Sequence, residues 1–170
     1  GDDIPADELN IIPADSKDIG DRAPHYGYPF VHSNDAKEPA GLIDDPKFGD
    51  NLARPDTMVP AAVRIQAHAA PLGMTFYTAD AFPESYRGAL FVAEHGSWNR
   101  SSKVGYQVTV MTEHENGQRS YQPFVTGWLE GEEAWGRPND VMVAPDGSLL
   151  ISDDRTGQIF QVRYEDANSG

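Results

Sequence analysis

Apolar and polar positions alternate in short runs along the second part of the chain, and scarcely at all along the first. After Pro71 the runs Leu72–Thr78, Gly88–His95, Gly105–Thr112 and Ser120–Val125 follow one another, each bounded by glycine or a polar turn. Alternation with period two sends successive side chains to opposite faces of a pleated strand, so each run reads as a strand with one buried face. The pattern then restarts. Asn139–Ala144 leads through the turn Pro145-Asp146-Gly147 to Ser148–Asp153, and Gln158–Tyr164 follows Thr156-Gly157. Proline, glycine and glycine recur at matching points of the two series, as Pro71 and Pro138, Gly88 and Gly147, Gly105 and Gly157. A recurrence of roughly 50 to 65 residues fits the blades of a propeller better than a solenoid.

The predicted fold is therefore all-β: a β-propeller of about two and a half blades, each a four-stranded antiparallel sheet. A β-sandwich is the alternative, since its short strands also recur. Residues 1–66 are acidic, rich in proline and irregular, and predict loops with a partial blade. Glu8–Ile12 is the best strand candidate there, Tyr26–Phe30 a packed aromatic loop, and Ala36–Asp56 a surface excursion. Residues 67–130 then form a blade and residues 131–170 begin the next, all within one propeller domain. An unclosed ring exposes strand edges. The remaining blades are expected from another chain, from self-association or from a longer precursor.

Composition narrows the function. The formal net charge is −14, which opposes nucleic acid and anionic lipid, since both are held by clustered lysine and arginine. Some carboxylates can instead hold a hard cation such as calcium. Cysteine is absent, which removes disulfides, thiolate metal sites and thiol nucleophiles. No apolar run approaches the length of a membrane span, and the opening residues do not read as a signal peptide, as expected alike of a mature secreted protein, a cytosolic one and an excised fragment.

Candidate chemistry concentrates in two loops. Glu94-His95-Gly96-Ser97-Trp98-Asn99-Arg100 leaves an apolar strand, and loops of that kind carry ligands because the sheet beneath holds them still. His95 can donate or accept a hydrogen bond, Trp98 can cover a flat ring, and Arg100 can pair with a carboxylate through two N–H groups. Together they suit a flat anionic molecule, or else a structured turn lidded by Trp98. The second loop, Ala134-Trp135-Gly136-Arg137-Pro138-Asn139-Asp140, places Arg137 just before a strand. It supplies either a fixed positive charge or a salt bridge to a carboxylate such as Asp140. Asp2, Asp3, Asp7 and Glu8 crowd the opening residues and suit a calcium loop or a solvated acidic tail. Asp153 reads as a turn former rather than as one of a catalytic pair with Asp154.

These segments also carry a family resemblance. Gly1–Asn10, His25-Tyr26-Gly27-Tyr28-Pro29, Ala70-Pro71-Leu72-Gly73-Met74, Phe91–Arg100 and Trp135–Val141 resemble the C-terminal portion of the sorbosone/glucose dehydrogenases that use pyrroloquinoline quinone. The resemblance runs over nearly the whole chain and is weakest between Ser33 and Ala67. It implies a six-bladed propeller that binds the quinone and Ca2+ and oxidises an aldose or sorbosone-like sugar by hydride transfer to the quinone. Electrons then pass to an acceptor, a quinone or cytochrome. It further implies a periplasmic or secreted location.

Carried over position by position, Asp2 and Asp3 fall where backbone carbonyls ligate the cofactor's calcium, and Glu8 and Tyr26 at a second, structural calcium site. Arg137 falls at a quinone-contacting arginine, and Asn139 where some relatives have another. His95, Trp98, Asn99 and Arg100 occupy the place of a basic cofactor contact. Two departures stand out: the cysteine pair of the sorbosone branch is missing, and the family's histidine base lies upstream of Gly1. The resemblance therefore implies no catalytic residue within this chain and little or no turnover by the chain alone. A non-catalytic propeller module that binds a sugar or partner protein is the alternative function. A third reading is structural, with two copies pairing to complete a ring.

Overall fold

The computed structural model describes residues 1–12, 24–37, 39–52 and 58–165. They divide into two compact units, Gly1–His68 and Ala69–Gly170. Among the described residues the regular structure is antiparallel strand, with a single 3₁₀ turn at Glu84–Tyr86.

The first unit holds four strands of three residues: β1 (Asp7–Leu9), β2 (Val31–Ser33), β3 (Leu42–Asp44) and β4 (Val63–Ile65). β1 pairs with β4, with Glu8 opposite Arg64, and β2 pairs with β3, with His32 opposite Ile43. β3 lies inside the stretch expected to be a surface excursion. Three residues are too few to display an alternating pattern, so the sequence shows no strand there. The turn of this hairpin is closed by Asn34, whose N–H donates to Gly41 O at 3.1 Å. Asn34 accepts the Gly41 N–H at 3.1 Å and donates through Nδ2 to the Pro39 carbonyl at 2.9 Å.

The second unit begins with β5 (Pro71–Phe76), β6 (Leu90–Glu94), β7 (Gln107–Glu113) and β8 (Arg119–Val125), joined in sequence order into one four-stranded meander. A two-residue hairpin, β9 (Leu129–Glu130) with β10 (Glu133–Ala134), follows. β11 (Pro138–Val143), β12 (Leu149–Asp153) and β13 (Gln158–Val162) then form a three-stranded sheet, again in sequence order. The strands expected after Pro71 are thus present, while the β9–β10 hairpin is too short to have announced itself.

The two sheets repeat each other in detail. Each opens on a proline opposite the carboxylate that ends the second strand: Pro71 faces Glu94, and Pro138 faces Asp153. The register shifts directly after each proline, because proline cannot donate to the ladder. Their apolar faces meet in one core. Phe91, Ala93, Val108 and Val110 from the first sheet join Val141, Leu149 and Ile151 from the second, with Tyr77, Phe82, Tyr106 and Trp128 between them. Burying each large side chain contributes about 1.5–3 kcal/mol. Aromatic edges add direction: Phe91 meets Phe124 edge-on at 4.7 Å, and Tyr77 stacks on Phe82 at 4.7 Å. The Tyr77 hydroxyl donates to the Gly147 carbonyl at 2.8 Å and accepts the Phe82 N–H at 2.8 Å. That satisfied, buried phenol ties the first sheet to the hairpin turn of the second.

Candidate functional site

The ends of β6 and β12 and the start of β11 bring three side chains into one row. At the end of β6, Glu94 is buried, with 2% of its surface exposed. Its carboxylate accepts Gln107 Nε2–H at 2.8 Å and the Tyr121 hydroxyl at 2.7 Å, so the strand end is anchored across β7 and β8. The loop beyond it is fixed by its own backbone. His95 N–H donates to Ala70 O at 3.0 Å, Gly96 N–H to Ala69 O at 2.9 Å, and Ser97 N–H to Val104 O at 3.0 Å. Gly96 has φ of +98°, and a Cβ there would lie 2.4 Å from the Tyr106 ring. Only glycine meets both the backbone angle and the close approach.

Arg137 enters from the connection between β10 and β11. Its Nη1 donates to Gly96 O at 3.1 Å and lies 3.2 Å from His95 Nδ1. Its Nη2 reaches the Tyr106 hydroxyl at 3.1 Å and Ser97 O at 3.5 Å, and its guanidinium carbon stands 5.0 Å from the Tyr106 ring centre. The Tyr106 hydroxyl donates in turn to Ser97 O. Of the two roles read for Arg137, the salt bridge to Asp140 is not formed. Asp140 Oδ1 instead accepts the Val141 N–H at 2.8 Å, so that carboxylate serves its own strand. Arg137 therefore presents its charge to carbonyls, a hydroxyl and an imidazole.

On its other side His95 meets Asp154, the residue after β12. Nε2 is 2.9 Å and 3.1 Å from the two carboxylate oxygens. Arginine can only donate, so Nδ1 accepts from Arg137 and Nε2 carries the proton shared with Asp154. The order across the row is carboxylate, imidazole, guanidinium. His95 is one-fifth exposed and Asp154 about half exposed, at 21% and 49% of side-chain surface. The row thus lies open to a ligand from solvent.

His95 and Arg137 were expected to share a site, and the structure joins them directly. Trp98, 85% exposed, and Asn99 stand at the loop tip. Arg100 is partly buried, and Asn139 is partly buried at the β11 register shift. None of Arg137's hydrogen bonds reaches these four. Asp154 is the residue that sequence reasoning missed. Its signal lay in the repeat: Asp154 follows the Pro138-facing carboxylate as His95 follows the Pro71-facing one. Asp153 is the turn former expected of it, accepting the Arg155 and Thr156 N–H groups at 2.9 Å each.

The candidate calcium residues lie in the first unit. Asp2 is partly buried and Asp3 exposed. Glu8 accepts from Asn10 Nδ2 at 3.1 Å, and the Tyr26 hydroxyl donates to Ile11 O at 2.7 Å. Among the described residues no three His, Cys, Asp or Glu side chains converge as a metal site requires.

Comparison with known proteins gives this architecture a family. The chain belongs to the TrAA12-like family, which matches residues 1–165. It is 37% identical over 168 residues to an uncharacterized protein of Borreliella burgdorferi, covering 97% of this chain and 41% of that protein. It is 26% identical over 180 residues to the pyrroloquinoline quinone-dependent pyranose dehydrogenase of Coprinopsis cinerea, covering 84% of this chain and 23% of the other. The fold matches the iodide structure of Trichoderma reesei Carbohydrate-Active Enzymes Family AA12 with a TM-score of 0.63 at 23% identity, over 94% of this chain and 44% of that one. The resemblance to quinone-dependent sugar dehydrogenases read from the motifs is borne out. The chain spans less than half the length of these relatives. Among the described residues no helix is long and apolar enough to cross a membrane.

Proposed function

We propose that this chain is part of a quinoprotein oxidoreductase of the sugar-dehydrogenase type, acting on an aldose or sorbosone-like sugar. The observation that carries the proposal is the junction of Arg137 and His95 at the strand ends of a TrAA12-like domain. In this reading the two sheets of the second unit are blades of a six-bladed propeller. A quinone or cytochrome accepts the electrons, and the protein works in the periplasm or outside the cell.

The second unit fits pyrroloquinoline quinone on chemical grounds. The cofactor is flat and carries carboxylates, and Arg137 offers a cation that no carboxylate contacts directly. Arg100 and the exposed indole of Trp98 lie on the loop next to it, with Asn99 beside them and Asn139 just after Arg137 in sequence. When bound, the quinone supplies the hydride acceptor for sugar oxidation. Arg137 supplies charge, and the Tyr106 ring with the Gly96 and Ser97 carbonyls keeps that charge in place. The cofactor's calcium is assigned to the opening loop, through the carbonyls of Asp2 and Asp3, and a second, structural calcium to the position of Glu8 and Tyr26. Calcium accepts backbone carbonyls as readily as carboxylates. The general base is assigned to a part of the full-length enzyme outside this chain.

One feature favours a second reading. All four terminal N–H positions of Arg137 face groups of the protein itself, which also suits a binding module without redox chemistry. A titration separates the two. Pyrroloquinoline quinone is added to the chain with calcium and then with chelator, following cofactor absorbance. Calcium-dependent binding, weakened about tenfold in Arg137→Ala through loss of a charged contact, is the expected result. Sugar binding without any quinone binding would overturn the oxidoreductase reading in favour of the module.

A further inference from the structure

We propose that Asp154 is a positioning residue that holds the His95 imidazole in its Nε2–H tautomer and thereby presents the Nδ1 lone pair to Arg137. The role deepens the proposed function, on which it rests for the importance of Arg137. Three observations converge. Both Asp154 oxygens lie within hydrogen-bond distance of Nε2, at 2.9 Å and 3.1 Å. Arg137 Nη1 lies 3.2 Å from Nδ1, and a guanidinium has no lone pair to offer. The turn after β12 already has its cap, because Asp153 Oδ1 accepts the Arg155 and Thr156 N–H groups. Asp154 is thereby freed from the task its neighbour performs.

The physical reason for the carboxylate is the symmetry of a neutral imidazole. Histidine can carry its proton on either nitrogen, and the bond made by one nitrogen decides the state of the other. With an acceptor fixed at Nε2, the proton stays there and Nδ1 remains an acceptor. Without it, the Nδ1–H form becomes accessible and points a donor at a donor. Arg137 then loses a contact on the side that faces His95. Asp154 also places a negative charge at the far end of the row, which balances the guanidinium without touching it. Both imidazole nitrogens are engaged, so Asp154 acts on a ligand only through His95 and Arg137.

The test uses the full chain labelled with ¹⁵N histidine, without ligand, at about pH 8, above the ordinary imidazole range. Long-range ¹H–¹⁵N correlations report which His95 nitrogen is protonated. The wild-type chain is expected to show Nε2–H alone, and Asp154→Asn to retain it, because the amide oxygen still accepts. Asp154→Ala is expected to show mixed tautomers with an unchanged fold by circular dichroism, since the side chain is half exposed. In the calcium-supplemented quinone titration, Asp154→Ala should weaken binding about fivefold and Asp154→Asn less than about twofold, the scale of one net hydrogen bond. An Asp154→Ala chain that keeps His95 wholly in the Nε2–H form overturns the proposal. If the wild-type chain binds no quinone, the functional reading fails, while the tautomer comparison still decides this one.

Discussion

The two sheets of the second unit solve one structural problem in two ways. In each, the second strand ends on a buried carboxylate facing the proline that starts the first strand. In the first sheet that residue is Glu94, whose longer side chain meets Gln107 of β7 and Tyr121 of β8. In the second it is Asp153, whose short side chain turns back on the two N–H groups of its own turn. The glutamate makes a rigid platform spanning three strands; the aspartate makes a local cap. The residues that follow are delivered differently as a result. His95 is carried on a platform and Asp154 on a turn, and the row joins them. One extra methylene separates a support for the whole sheet from a support for one loop.

The largest effect should come from removing what the sheets share. Phe91 is fully buried and touches Tyr77, Phe82, Tyr86 and Phe124. Phe91→Ala should cost about 3–5 kcal/mol in urea unfolding of the chain, as lost transfer energy plus a cavity. A loss near 1 kcal/mol would mean that the two sheets do not depend on a common core.

The comparison itself is sharpened by cutting the two carboxylates separately. Glu94→Ala strands the Tyr121 hydroxyl and the Gln107 amide and should cost about 2–3 kcal/mol. Asp153→Ala removes a turn cap and should cost about 1 kcal/mol. Hydrogen exchange should show opening along β7 and β8 in the first variant and only around residues 153–157 in the second. Equal losses with the same exchange pattern would erase the distinction between platform and cap.

The smallest effect concerns the β11–β12 turn. Ser148 donates to Asp146 through its hydroxyl, at 2.5 Å, and its N–H, at 3.0 Å. These bonds, hydroxyl first, hold the Asp146 carboxyl below the usual carboxylate range, with a lesser contribution from Arg163. A lowered value means stability that is fully present above the unfolded aspartate range, near about pH 4, and lost as pH falls through the lower folded value. In Ser148→Ala the Asp146 titration, followed by ¹³C carboxyl shifts, should move up toward the ordinary range. An unmoved titration would mean that the turn leaves this carboxyl unperturbed.

Much of this was legible in the sequence, and for an identifiable reason. Strands of five to seven residues such as β6, β7 and β12 carry an alternating or continuous apolar signature, and the recurring proline and glycines mark where each begins and turns. The three-residue strands of the first unit carry no such signature; β3 is held by its pairing with β2, and the turn before it by the amide of Asn34. In the candidate site, His95 and Arg137 stood out as chemically able residues in polar loops. Asp154 did not, because a carboxylate beside a turn looks like a turn residue until Asp153 is seen to perform that task.

By itself, then, the sequence determined the all-β class, the repeated sheets, the family resemblance and the two loops that hold the candidate site. Tertiary structure alone decided which partners those loops found. Arg137 took the carbonyls of Gly96 and Ser97, the Tyr106 hydroxyl and His95 rather than Asp140, and His95 took a residue fifty-nine positions away. Local propensity follows from neighbours along the chain, whereas these pairings required two sheets to pack face to face and bring distant strand ends within hydrogen-bond reach.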